Sequence, residues 1–205
     1  MNLFRWRSNP NTKLFWDKKY GKYIEDQYIR SDRKHLDKFM TLFQRSGSIL
    51  DFGSGLGGNI EYLSHHLEDK KFMLLDLSET SLAFSKNKLL GLSDDHGNRF
   101  EYCRDLGEIP PASIDLVMSI EVLEHITNYG KVLDQLWDKL KTGGILLISV
   151  PVLGIRDRTR VHVNKFTVKG MFQILSRFND IVHIAARTYS KKSGRLSTAY
   201  FYVEK

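Results

Sequence analysis

The 205-residue sequence has a single cysteine, Cys103, and only four prolines. One cysteine excludes an intrachain disulfide, so the fold must rest on its apolar core, and a reducing, cytoplasmic setting is expected. Long apolar runs are missing as well. The longest, Ile145 to Leu153, is broken by Pro151 and falls far short of the roughly 20 residues that a membrane-spanning helix needs. Residues Met1 to Pro10 alternate arginine with aromatics and contain no apolar stretch of the secretory type, so no signal segment is expected. Internal repeats and low-complexity segments are absent. Acidic residues are the minority charge, 24 against 31 Lys and Arg, for a formal net charge of +7. That balance would suit an anionic partner, but the basic residues are spread along the chain; the densest stretches are Arg156–Lys169 and Arg187–Arg195.

What is present is a chain of one-domain length, 41% hydrophobic. From Ser48 onward short β-rich runs alternate with helical patterns, the signature of strand-helix units around a parallel sheet. Strands are expected at Ser48–Phe52, Phe72–Leu77, Arg99–Cys103, Ile114–Ile120 and Ile145–Val150. Helices are expected from Ser78, whose hydroxyl can cap it, to Gly91; over Tyr129–Lys141, stopped by Gly143-Gly144; and over Thr167–Phe178. In the middle one Val132, Leu133, Leu136, Trp137 and Leu140 share a face, which marks Trp137 as core packing. Two alternating runs, Ile181–Tyr189 and Thr198–Glu204, flank a short Ser190–Arg195 connection and read as a closing antiparallel hairpin. Residues 1–47 hold Leu36, Phe39, Met40 and Phe43 at helical spacing after an aromatic-rich stretch, Phe15, Trp16, Tyr20, Tyr23 and Tyr28. They predict a helical cap or lid over the edge of a site carried by residues 48–205.

The motif with most chemistry is Asp51-Phe52-Gly53-Ser54-Gly55-Leu56-Gly57-Gly58, at the end of the first strand. Its glycines allow the backbone to pass close beneath a nucleotide cofactor. The loop fits a dinucleotide fingerprint through Gly53, Gly55 and Gly58, and an acidic-x-Gly-x-Gly-x-Gly loop through Asp51, Gly53, Gly55 and Gly57. Asp76, ending the second strand, is placed to accept the hydroxyls of an adenosine ribose. That suits NAD and S-adenosylmethionine equally. Asp105 could accept from the adenine amine, with Leu77 and Leu106 sandwiching the ring, although Asp105 also reads as a turn residue before Pro110-Pro111. Asp51 would repel a pyrophosphate and attract the amine of a methionine tail.

Five ordered blocks give the sequence a resemblance to the class I S-adenosylmethionine-dependent methyltransferases, in particular the group containing the ubiquinone-biosynthesis O-methyltransferases. They are Ile49–Gly57, Leu75–Ser78, Asp105-Leu106, Ile120–Ile126 and Leu140–Ile148. Thr142 stands where that family usually has proline. The resemblance implies a Rossmann-like α/β fold with a mostly parallel seven-stranded sheet, an antiparallel C-terminal hairpin and helices on both faces. It also implies cofactor contacts from Asp51, Gly53, Ser54, Gly55, Gly57, Asp76, Leu77, Asp105, Leu106 and Ile120, with S-adenosylhomocysteine as product. A helix opening after the fourth strand would put Glu121, Glu124 and His125 on one face. In the ubiquinone and small-RNA methyltransferases the matching residues hold a divalent metal; elsewhere the block shapes the cofactor pocket, and no metal is assigned here. His162, in a His-x-x-x-Phe-Thr pattern, is a candidate base, fourth metal ligand or helix brace. Catalytic candidates are therefore His125, His162 and Glu124, acting on a hydroxyl or amine of a small-molecule acceptor. RNA tracked by basic loops at Arg156–Arg160 and Lys191–Arg195, an NAD(P)-linked oxidoreductase, and a cofactor-binding scaffold without activity are the rival readings.

Overall fold

A computed structural model describes residues 10–26, 33–92, 99–184 and 198–205. The expected strands form one sheet. They are β1 (Ser48–Phe52), β2 (Lys71–Leu75), β3 (Phe100–Cys103), β4 (Ile114–Ile120), β5 (Leu140–Pro151), β6 (Ile181–Ile184) and β7 (Thr198–Glu204). Their order is β3-β2-β1-β4-β5-β7-β6. β1 to β5 pair in parallel, and β7 runs antiparallel to both β5 and β6. The Ser190–Arg195 connection, Tyr28 and most of Met1–Pro10 lie outside the described residues.

The helices are α1 (Lys13–Glu25), α2 (Met40–Arg45), α3 (Gly58–Ser64), α4 (Glu79–Leu89), α5 (Tyr129–Lys139) and α6 (Val168–Leu175). Side-chain caps start four of them as polar residues before an apolar pattern should: Thr12, Ser78, Asn128 and Thr167 each accept a backbone N–H from the first turn. Alternation along the strands divides the core. Leu50, Val117, Leu146 and Ile148 face Leu133, Leu136, Met171 and Leu175 of α5 and α6. Their neighbours Ile49, Leu116 and Leu147 face Phe43, Ile60, Leu63 and Leu82 of α2, α3 and α4. Helices thus cover both faces, and the strand order reverses at β1, leaving a crevice at the carboxyl ends of β1, β2 and β4.

Three expectations need correction. α5 ends at Lys139, because Leu140 already pairs with Ile114; Gly143-Gly144 lies inside β5 and does not stop the helix. Glu121 opens no helix. Its φ is +57°, and its N–H donates to the Ser149 carbonyl at 3.1 Å, prolonging the β4–β5 contact into a left-handed turn. Only a single 3-10 turn, Leu123–His125, follows, so Glu121, Glu124 and His125 do not share a helix face.

Candidate active site

The glycine loop is built around positive backbone angles. Gly53, Gly55 and Gly57 have φ of +78°, +52° and +72°, and the N–H groups of Gly53 and Ser54 both donate to the Leu75 carbonyl. This turn delivers Gly57 as the left-handed cap of α3 and opens the crevice above β1. Beyond β2, the buried Asp76 carboxylate accepts the N–H of Gly55 and of Ser78, each at 2.8 Å. It therefore ties the glycine loop to the start of α4. Burial, as the largest influence, holds the Asp76 carboxyl above the ordinary range despite those two amides.

A cavity of about 320 Å³ lies here, lined by Gly53, Asp76, Leu77, Asp105, Leu106, Glu121 and His125 among others. Leu77 is 49% exposed although apolar, whereas Leu106 is buried; an open leucine inside a cavity offers surface to a flat ligand. Asp105 also serves as the turn residue it resembled, its Oδ1 accepting from Gly107 N–H while Glu108 caps the same turn. The other expected cofactor residues sit behind the wall. Ser54, Gly55, Gly57 and Ile120 do not line the cavity, nor does Asp51, which is fully buried within β1. One Asp51 oxygen accepts from Asn59 at 3.4 Å, the other has no hydrogen-bond partner, and burial pushes the carboxyl up to about 7.

α1 closes the cavity from the side opposite the sheet. Asn11, Trp16 and Tyr20 line it. The Trp16 ring stands edge-on to His125 at 4.9 Å, and Tyr20 lies on the glycine loop where a Cβ at Gly55 would meet its hydroxyl at 3.0 Å. Asp17 fixes this arrangement by accepting the Ser78 hydroxyl at 2.6 Å and the Thr80 N–H at 3.2 Å. Trp16 and Tyr20 belong to the aromatic stretch expected to lie over the site, whereas Asn11 and Asp17 carry no local motif that reading along the chain would single out.

The three catalytic candidates do come together. Glu124, His125 and His162 offer ligand atoms within 4.8 Å of one another, and Glu121 is not part of the cluster. The loop after β5 assembles it. Asn164 donates to the carbonyls of Leu123 and Ile126, Val161 presents its carbonyl to His125 Nδ1 at 3.1 Å, and His162 Nδ1 meets Asp157 at 2.6 Å. Burial pushes the Glu124 carboxyl up to about 9, with the Glu121 charge adding to it, and pulls the His125 imidazole down to about 4. At neutral pH the cluster thus holds a protonated carboxyl and an uncharged imidazole, a donor set that can take up a proton or accommodate a divalent cation.

The Glu124 shift has a measurable consequence. Its folded value lies above the model-peptide value of 4.5, so its contribution to stability is complete below about 4.5 and is lost as pH rises toward 9. Glu124→Gln removes that loss. The difference in Tm, variant minus wild type, should widen from near zero at pH 5 to about 5 °C at pH 8.5, measured by differential scanning calorimetry. A constant difference across that range would contradict the buried neutral carboxyl.

Comparison with known proteins agrees with this geometry. The profile of the methyltransferase domain matches residues 50–146, from the glycine loop through β5. The matched stretch is 97 of the 205 residues, from β1 into β5. Over 121 residues it is 25% identical to a probable S-adenosylmethionine-dependent methyltransferase of Mycolicibacterium smegmatis, a match covering 58% of this chain and 44% of that protein. The chain thus spans less than half the length of the curated relative it matches. Its fold is that of S-adenosylmethionine-dependent methyltransferases. A SAM-dependent methyltransferase from Aquifex aeolicus superimposes with a TM-score of 0.66 at 18% identity, over 92% of this chain and 97% of that one. Phosphoethanolamine N-methyltransferase 2 of Haemonchus contortus, solved with phosphomonomethylethanolamine and S-adenosylhomocysteine, gives 0.72 at 17% identity, over 93% of this chain and 58% of that chain. Among the described residues no helix is long and apolar enough to cross a membrane.

Proposed function

We propose that this protein transfers a methyl group from S-adenosylmethionine to a hydroxyl or amine of a small molecule in the cytoplasm, with a site organised like that of the ubiquinone-biosynthesis O-methyltransferases. The observation that carries this reading is the single cavity wall joining Asp76, Leu77 and Leu106 to His125, at the edge of the Glu124-His125-His162 cluster. When bound, the cofactor would supply an electrophilic methyl group on its sulfonium, with S-adenosylhomocysteine as the neutral leaving thioether. The residues fit it: Asp76 keeps one lone pair on each oxygen for the ribose, Leu77 and Leu106 hold the adenine, and Asp105 has an oxygen left for the adenine amine. Gly53, on the cavity wall, would meet the methionine tail, while Asp51, Ser54, Gly55, Gly57 and Ile120, which do not line the cavity, would shape the turn and strand ends that carry it.

Displacement needs little covalent help, so the protein's work is alignment and exclusion of water. α1, through Trp16 and Tyr20, acts as the lid of residues 1–47. The acceptor must lose a proton, and His125 or His162, each neutral imidazole having one free lone pair, takes it while Glu124 completes the cluster. If the same three side chains hold a divalent cation instead, turnover will fall with EDTA and return with added magnesium or manganese.

The test has two steps. Calorimetry should show S-adenosylhomocysteine binding and no NADH binding; the reverse pattern would replace this reading with an oxidoreductase. Release of S-adenosylhomocysteine, followed across phenols, sugars and amines, then identifies the acceptor, and His125→Ala and His162→Ala should each lower kcat by roughly 100-fold or more. Wild-type rates in both variants would remove them as bases. An RNA acceptor is favoured by one observation, the exposed Arg156, Arg158 and Arg160 beside the cluster. Salt-sensitive retention of a short RNA would support it, and absence of binding at low salt would eliminate it. Lys191–Arg195, the other basic loop, lies outside the described residues.

A further inference from the structure

We infer that Asp157 is a positioning residue which sets the tautomer and orientation of His162, so that the Nε2 lone pair of His162 is available to accept a proton. The inference rests on the methyl-transfer reading above for its chemistry and on the following geometry for its substance.

Asp157 departs from its surroundings. It is 7% exposed in a loop where Ile155, Arg156, Arg158, Thr159 and Arg160 are all exposed. A carboxylate turned inward from such a loop must be satisfied there. Its Oδ2 lies 2.6 Å from His162 Nδ1, and its Oδ1 accepts the Thr159 N–H at 2.9 Å, with Lys165 Nζ 3.9 Å away. Burial opposes its charge, but the bonds from His162 and Thr159 outweigh burial and leave the carboxyl below its ordinary value. An ionised carboxylate only accepts hydrogen bonds, so the proton of a neutral His162 must sit on Nδ1.

His125 is held in the same way. Its Nδ1 faces the Val161 carbonyl, which also can only accept, and its Nε2 faces Glu124 Oε1 at 3.9 Å. The two imidazoles stand edge to face with centroids 4.9 Å apart. One loop therefore supplies both acceptors, Asp157 and the Val161 carbonyl, and in the neutral form of each ring places the proton on Nδ1. Neither Asp157 nor His162 lines the cavity; His162 stands behind His125, which does, so Asp157 acts through His162 at the cavity's edge. A carboxylate behind a histidine is a general device for choosing which ring nitrogen reacts.

The test needs no acceptor for its first arm. In the 15N NMR spectrum of histidine-labelled protein, measured above the His162 titration, wild-type His162 should show a protonated Nδ1 and an unprotonated Nε2. In Asp157→Asn the Thr159 N–H keeps Oδ1, which puts the amide NH2 against His162 Nδ1; the proton should move to Nε2. Wild-type His162 protonated on Nε2 overturns the inference whether or not any variant folds. In the second arm, with the acceptor found by the release assay, Asp157→Asn should lower kcat about 100-fold with KM for S-adenosylmethionine within twofold of wild type. Asp157→Glu should recover part of the loss. An unchanged kcat, or an unaltered tautomer in Asp157→Asn, overturns the inference. S-adenosylhomocysteine affinity, measured in parallel, separates the two readings: a wild-type protein that shows the expected tautomer yet binds no S-adenosylhomocysteine defeats the methyl-transfer reading and leaves the Asp157–His162 assignment intact.

Discussion

Asp76→Ala should lower affinity for S-adenosylhomocysteine by at least about 100-fold in isothermal titration, the largest single loss expected of any cofactor-site residue. Hydrogen bonds to a charged group contribute about 1.5–3 kcal/mol each, and the two ribose hydroxyls would share this carboxylate. The same change releases the N–H groups of Gly55 and Ser78, both of which bond to Asp76 without any ligand present. Two amides left unpaired should cost the apo protein roughly 2–4 kcal/mol as well. Tm of the apo variant and the ligand-induced rise in Tm therefore report separate roles. A lower apo Tm with a wild-type rise on adding S-adenosylhomocysteine would make Asp76 a loop staple alone, and the cofactor would have to bind elsewhere.

Gly53→Ala should destabilise the fold by about 2–4 kcal/mol, which for a domain of this size lowers Tm by roughly 5–15 °C. Two effects add. At φ of +78° any Cβ costs about 1–2 kcal/mol, and the added carbon would lie 2.5 and 2.8 Å from the two methyl groups of Val122. Only the second is steric crowding that a neighbour can relieve. Val122→Ala in the same chain should thus recover part of the loss and leave the backbone cost, a non-additivity that a double-mutant cycle of thermal unfolding measures directly. Full additivity would mean that Val122 does not press on the loop, and that the β1 and β4 ends are further apart than described.

The contact between Gly53 and Val122 also explains why the loop and the Glu121–Ile126 segment work as a unit. Each belongs to the carboxyl end of a strand, β1 and β4, that pairs directly with the other. Glu121 sits in the left-handed region between them, held by the backbone and hydroxyl of Ser149. A non-glycine residue in that conformation carries strain that its surroundings must sustain, and such residues concentrate at functional sites. Here the left-handed turn leaves Glu121 on the cavity wall while Glu124 and His125 turn toward the loop after β5.

Much of this was legible along the chain. Strand alternation, the polar caps at Ser78 and Thr167, and the three alternate glycines are local properties, determined by dihedral preference and by which face of an element is apolar. They were enough to predict the strand-helix order, the glycine turn, Asp76 at the end of β2 and the antiparallel finish. What local preference could not decide was the path at strand ends, where tertiary hydrogen bonds outweigh it: Glu121 follows the Ser149 carbonyl into a left-handed turn, and Leu140 joins Ile114 in place of a last helical turn. Nor could it bring Asp157 and His162 against Glu124 and His125, or Trp16 against His125 across more than a hundred residues. Those contacts arise because the carboxyl ends of β1, β4 and β5 converge and because α1 packs on α4. Spacing in sequence fixes neither distance, since the segments that meet there are separated along the chain by whole strand-helix units.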